Sequence, residues 1–348
     1  MLRKSDWVHR TLIAGWIALA GRVALVGAVA ALMSSLAVSR AGESTPADSV
    51  PDANDAISAL APTNVTVRLA YKFQAGQFVH YESANRVEYL AQLGIDKTGV
   101  DDRRFEILQQ NESGMHFRVV SVDEQGVALI EPVIDRARMT AKLPDREPVV
   151  FDSTAAEPAP PEFRVNRESL GRAVARFQVA PNGKLVKAII VDANAPQSMR
   201  DAAEQLNTRF PFLVVMPTTP VKVGDKWKEN YNTSITIGKS LKQPVPLLRL
   251  YEVTEIGNGV ATIKFKTTVL APLDDPDHEK QIAQQTPSGT IEFDIERGLV
   301  RSYKSTLNKT VFNAFGQQTL LQVVGEATEK LVLPQEESEQ PRVSQNND

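Results

Sequence analysis

The chain has 348 residues, 42% of them apolar, and no cysteine. That apolar share is globular, and the missing cysteine excludes a disulfide scaffold, thiol catalysis, CxxC zinc sites, haem attachment and a lipid-bearing cysteine. The formal charge of −3 divides into +4 on residues 1–41 and −7 on the rest, and an acidic body without a basic block excludes nucleic acid as a partner.

Residues 1–41 read as an export signal. Arg3, Lys4, His9 and Arg10 make a positive start, Val23 to Val38 is apolar and uncharged, and Ser39-Arg40-Ala41 supplies small residues for cleavage after Ala41. The competing reading is an uncleaved anchor over Thr11 to Val38. Arg22 opposes it, because an arginine near the centre of a spanning helix costs about 2.5–3.5 kcal/mol. Beyond Arg22 the apolar run is 16 residues, short of the ~20 that a spanning helix needs. Both readings put the body outside the cytoplasm, in the periplasm or cell envelope, with membrane contact only through this N-terminal segment.

Residues 42–62 form a linker rich in Ala, Ser, Asp and Pro. Order is expected from Val65, where Val65, Val67, Leu69, Tyr71 and Phe73 alternate with Thr66, Arg68, Ala70 and Lys72, a strand with one buried face. A turn at Ala75-Gly76 leads to a long strand over Gln77–Leu93. Further strands are expected over Phe105–Gln110 and Met115–Val122, joined by a turn at Asn111-Glu112-Ser113-Gly114, and over Val127–Met139. The proline-rich stretch 143–164 reads as a surface excursion. Ala180-Pro181-Asn182-Gly183 is a hairpin turn between Ala173–Val179 and Lys184–Val191. One helix is expected over 196–210, where Met199, Ala202, Ala203, Leu206 and Phe210 share a face.

The segment Pro220 to Trp227, PVKVGDKW, reads as a joint. After it, strands are expected over Lys226–Ile237, Leu247–Ile256, Val260–Leu270, Thr290–Ile295, Leu299–Val311 and Thr319–Leu333. Ala271–Pro287 is a polar acidic loop with room for a short helix. This second series echoes the first, with Gly76 answered by Gly224, Gly126 by Gly259 and Gly183 by Gly298. Antiparallel hairpins share turn glycines in any case, so duplication and simple recurrence both stay open. The expected organisation is a first β-unit over 63–210, a second over 211–333 and a tail over 334–348. The expected fold is mainly β with minor α: curved antiparallel sheets, in two related halves if the duplication holds, with one packed helix bridging them.

Tyr71-Lys72-Phe73 with Ala75-Gly76 and Tyr81, the joint PVKVGDKW and the late GTIEFDIERGLV resemble an uncharacterised family of exported bacterial β-proteins, a domain of unknown function. The resemblance spans most of Val65 to Leu333 and implies export and a β fold, with no activity attached. More loosely, long antiparallel strands with a packed helix are similar to the open half-barrel of lipoprotein carriers, a likeness of fold.

Motifs of catalysis are missing: the sequence has no GxSxG, HExxH, P-loop or strand-borne GxGxxG. His80 on its strand reads either as a base or ligand in a cavity or as a satisfied strand histidine, and His116 as a solvated strand start. Asp274, Asp275 and Asp277 are the richest group of oxygen donors, but they lack the EF-hand pattern, so a calcium site competes with a plain solvated loop. Trp227 and Tyr231, at strand spacing, are candidates to stack on a sugar or lipid and equally candidates for the core. Asp294 reads as the opener of the Gly298 turn. No cofactor is expected.

Three functions are compatible with these features. The first is a non-enzymatic envelope protein binding a lipid-like or other apolar small molecule in a concave sheet. The second is a structural or interaction module that meets envelope proteins through loops 143–164 and 271–287. The third is a hydrolase whose two carboxylates lie far apart in sequence.

Overall fold

A computed structural model describes residues 65–94, 103–195, 200, 213–238 and 241–333. The export signal with Ala41, the linker, most of the expected helix over 196–210 and the tail lie outside the described residues. The described chain is dominated by one antiparallel sheet of twelve strands. These are β1 (Phe78–Leu93), β2 (Arg103–Val122), β3 (Ala128–Lys142), β4 (Val149–Asp152), β5 (Ala175–Val179), β6 (Leu185–Ile190), β7 (Lys226–Ile237), β8 (Leu241–Gly257), β9 (Val260–Val269), β10 (Ser288–Asp294), β11 (Leu299–Phe312) and β12 (Thr319–Val332). Two short helices accompany them, α1 (Arg164–Ser169) and α2 (Pro276–Ile282).

The strand order is β6-β5-β3-β2-β1-β12-β11-β10-β9-β8-β7, with the short β4 paired to β3. The first described strand of the sheet, β1, therefore pairs with the last, β12, at the middle of the sheet. Strands form because alternation is strict: on β1, Val79, Tyr81, Val87, Tyr89 and Ala91 are buried while Phe78, His80, Ala84 and Arg86 face water. The sheet curves so that its buried face is concave. One core cluster on that face joins Tyr81, Phe117 and Phe177 from one wing to Tyr251, Phe265 and Phe293 from the other.

The hairpin ends near Gly183 and Gly298 form the floor of this concave face, and two extended segments fill it. Residues 65–73 alternate as expected, with Leu69, Tyr71 and Phe73 buried, yet they make no ladder. Val67 bridges Val221, Tyr71 N–H bonds Pro181 O, and Lys72 N–H bonds Gly298 O. The alternation records burial across the floor, and the partners are the ends of different strands. Residues 213–221 lie alongside, with Leu213, Val214 and Met216 buried. At Gly183, with φ +81°, a Cβ would fall 2.4 Å from Val214 O and 2.6 Å from the Tyr71 ring, so the floor closes only over glycine.

The two runs of strands carry equivalent contacts. Gly76 N–H bonds Val119 O as Gly224 N–H bonds Val253 O, and each valine N–H returns a bond, to Gln77 O and Asp225 O. A register shift follows each valine, Val119/Ser121 and Val253/Glu255. A further expectation, besides the strand at residues 65–73, is corrected. Asn111-Glu112-Ser113-Gly114 is no turn, because β2 runs unbroken through it. Hydrogen bonding to β1 and β3 on both sides holds these turn-prone residues extended.

Candidate functional site

Halfway up the concave face the apolar lining gives way to a polar belt. Ser83 lies opposite Ser113 and Glu329, and Asn85 opposite Asn111 and Ala327. Ser305 lies opposite Ala327 on β11. On the far wing Arg249 lies opposite Glu229 and Thr267. Below the belt is the floor core. Above it on the central strands is a second apolar cluster that includes Tyr89, Ile107, Leu307 and Val323.

Arg249 is the centre of the belt's chemistry and is only 3% exposed. Its Nε donates to Thr267 Oγ1 at 2.8 Å, and its guanidinium carbon lies 4.8 Å from the Phe265 ring centre. Nη2 has a long contact of 3.5 Å to Tyr231 Oη, while Nη1 has no hydrogen-bond partner among the described residues. Burial works against the charge, but Tyr231, Tyr303, Tyr251 and Glu229 outweigh it and raise the guanidinium pKa above its usual value. Two more buried atoms on the belt, Ser305 Oγ and Asn111 Oδ1, also lack partners among the described residues. Unpaired buried polar atoms each cost about 1–3 kcal/mol, and three on one face need a reason.

The carboxylates of the belt differ. Glu229 accepts from Tyr251 Oη at 2.5 Å. Burial pushes the Glu329 carboxyl up to about 8, although a fraction of the side chain stays accessible. Burial, then Glu329, then Tyr71 raise the Tyr81 hydroxyl, which donates to Val300 O at 3.0 Å.

Two residues beyond Thr267, on the same face of β9, Val269 enters a pocket of about 320 Å³. Leu270, Pro272, Leu273 and Ile282 line it together with the ion pair Lys309–Glu279, 2.6 Å apart. The volume lies at the lower end of small-ligand pockets.

The expected site residues are dispersed. Trp227 is half-buried, stacks on Tyr251 at 5.0 Å and donates Nε1–H to Val215 O at 2.8 Å. Tyr231 is half-buried beside Arg249, so it reaches the belt. His80 stands exposed on the convex face, opposite His116. His116 is mid-strand, because the turn expected before it does not form. Asp275 caps α2 by accepting Asp277 N–H at 2.8 Å, Asp277 pairs with Lys280, and Asp274 is exposed. Asp275 and Asp277 thus shape a helix start. Asp294 accepts from Arg297 N–H at 2.7 Å and from its guanidinium at 2.8 Å. Burial works to raise the Asp294 carboxyl, but these bonds hold it below the usual range.

Sequence reasoning missed Arg249, Asn111, Ser305 and Glu329. A signal for the first was present: Leu247, Arg249, Tyr251 and Val253 share one strand face, and a cation inside such a run marks a polar position in an apolar wall. Among the described residues no helix is long and apolar enough to cross a membrane.

No protein-family model and no curated protein matches the chain. Among solved structures, one of lipovitellin concerned with lipid–protein interactions is similar at a TM-score of 0.38 and 13% identity, over 76% of this chain and 25% of that one. The chain thus spans about a quarter of the lipovitellin chain it matches. DynF from the dynemicin biosynthesis pathway of Micromonospora chersina aligns at a TM-score of 0.18 and 6% identity, over 87% of this chain and 97% of that one. OccK11 (OpdR) of Pseudomonas aeruginosa aligns at a TM-score of 0.18 and 8% identity, over 77% of this chain and all of that one. At these scores none carries an argument about ligand or mechanism.

Proposed function

We propose that the protein is a non-enzymatic, exported envelope protein that holds a lipid-like amphiphile against the concave face of its sheet. The observation that carries this reading is the unpaired Nη1–H of the buried Arg249. A charged, unfilled donor buried between two apolar clusters suits a carboxylate or phosphate head group, for which the guanidinium fork is well shaped. The pocket at Val269 and Ile282 suits part of an apolar tail, and its inner wall begins one inward position beyond Thr267. Export rests on the N-terminal segment, and recovery of the chain in the periplasmic or envelope fraction tests it.

Native mass spectrometry of gently purified full-length chain tests the ligand. A bound anionic amphiphile is expected, with occupancy reduced about tenfold or more in Arg249→Met, the loss typical of a charge-assisted contact. A wild-type chain that carries no such molecule and binds none from anionic detergent or fatty acid overturns the proposal. The filled floor favours a second reading, a closed interaction module that meets partners through residues 143–164 and 271–287. Under that reading, cutting either loop abolishes capture of envelope proteins while Arg249→Met changes nothing.

A further inference from the structure

The convex face carries a separate arrangement, away from the concave belt. His80 on β1 lies directly opposite His116 on β2, with ring centres 5.5 Å apart. On the next strand the register of β3 jumps from Arg136, opposite Gly114, to Ile134, opposite Met115. Asp135 is the extra residue of that bulge, so Asp135 and Arg136 both point to water. The bulge aims the Asp135 carboxylate at His116, with its oxygens 2.8 and 2.9 Å from Nδ1. One nitrogen from each histidine and one carboxylate oxygen lie within 4.8 Å of one another.

We propose that His80, His116 and Asp135 bind a divalent transition-metal ion, with zinc as the ion of choice. Two imidazoles and a carboxylate are the donor set that zinc accepts, at 2.0–2.2 Å from each ligand and so with ligands about 3.4 Å apart in a tetrahedron. Rotation of solvated side chains supplies the remaining closure. Nearby cations are turned aside. Arg136 pairs with Glu82 at 2.6 Å and Arg118 lies 3.6 Å from Glu131, so both guanidinium groups are directed to other carboxylates. Gly114 makes this possible, since a Cβ there would meet Arg136 Nε at 3.0 Å and Glu82 Oε1 at 3.2 Å. An ordinary surface pair would account for Asp135 and His116. It leaves unexplained the second imidazole facing the same point. Three protein donors leave a fourth position for water or for a donor from another molecule.

Calorimetric titration of the metal-free full chain with zinc chloride tests the site. One zinc per chain is expected, and no calcium, because calcium prefers an all-oxygen set. His80→Ala and His116→Ala each weaken zinc binding at least tenfold, and Asp135→Asn about tenfold. His278→Ala, at another His–Asp contact, leaves it unchanged. His80 and Asp135 are exposed and His116 is half-buried on the same convex face, and circular dichroism matching the wild type confirms that each variant folds. Cobalt provides a second readout: its visible bands on the wild-type chain vanish in His80→Ala/His116→Ala. A wild-type chain that binds no zinc, or a double variant that binds it as tightly, overturns the proposal. Neither outcome bears on the concave ligand.

Discussion

The Tyr71 hydroxyl holds both backbone groups of Val214, accepting from its N–H at 2.8 Å and donating to its carbonyl at 3.2 Å. One side chain from the N-terminal segment thus takes the place of a strand partner for the segment leading to β7. Tyr71→Phe keeps the ring and leaves both Val214 groups buried and unpaired. A loss of about 3 kcal/mol is expected, read as a lower urea midpoint with an unchanged slope.

Two turn glycines with nearly the same φ should respond differently to alanine. Gly76, at φ +82°, has open space where a Cβ would go, whereas Gly183, at φ +81°, has Val214 O and the Tyr71 ring within 2.6 Å. Gly76→Ala should cost about 1 kcal/mol, the strain of a left-handed alanine. Gly183→Ala should cost more than about 3 kcal/mol, because backbone must move as well. Equal melting-temperature losses in the two variants would show that the floor is looser than this contact implies.

Stability should fall with alkalinity through Glu329. Its folded pKa of about 8 lies above the ordinary glutamate value of about 4.5. The folded state therefore holds a proton that the unfolded state releases. The contribution is fully present below about 4.5 and is lost as pH rises through about 8. Glu329→Gln keeps the shape without the charge. It should change the melting temperature little near pH 4.5 and stabilise by at least about 1 kcal/mol above pH 8. A pH-independent difference between variant and wild type would sink the assignment.

Ser305→Ala separates stability from binding. The hydroxyl is fully buried with no partner among the described residues. Its removal should stabilise the empty chain by about 1 kcal/mol in a urea titration. The same variant should weaken binding of the amphiphile. Destabilisation in the absence of ligand would mean that the hydroxyl already has a partner.

Strands on the concave face were readable because β-periodicity and burial coincide there, as in Val79, Tyr81, Val87 and Tyr89 on β1. Two kinds of position misled. Residues 65–73 have the same periodicity without a ladder, because alternation reports which side chains are buried and says nothing of where backbone bonds go. Asn111-Glu112-Ser113-Gly114 has the composition of a turn and is mid-strand, because ladders to β1 and β3 on both sides outweigh local turn preference. The candidate sites were less readable than the fold. Arg249 with Tyr231, and His80 with Asp135, are neighbours only through strand pairing and a bulge. Register across strands distant in sequence is not written in any single segment.

β12, the last of the described strands, lies at the centre of the sheet between β1 and β11. Everything before Thr319 can at best form two wings, each with an unpaired inner edge where the seam belongs. Such edges invite pairing with other chains, and contacts spanning nearly the whole described chain form slowly. A chain threaded across a membrane from its N-terminus would therefore stay short of its final shape until transit is nearly over. Its C-terminal strand acts as a clasp, and any partner that guards the nascent chain would have to cover the two edges that this clasp later joins.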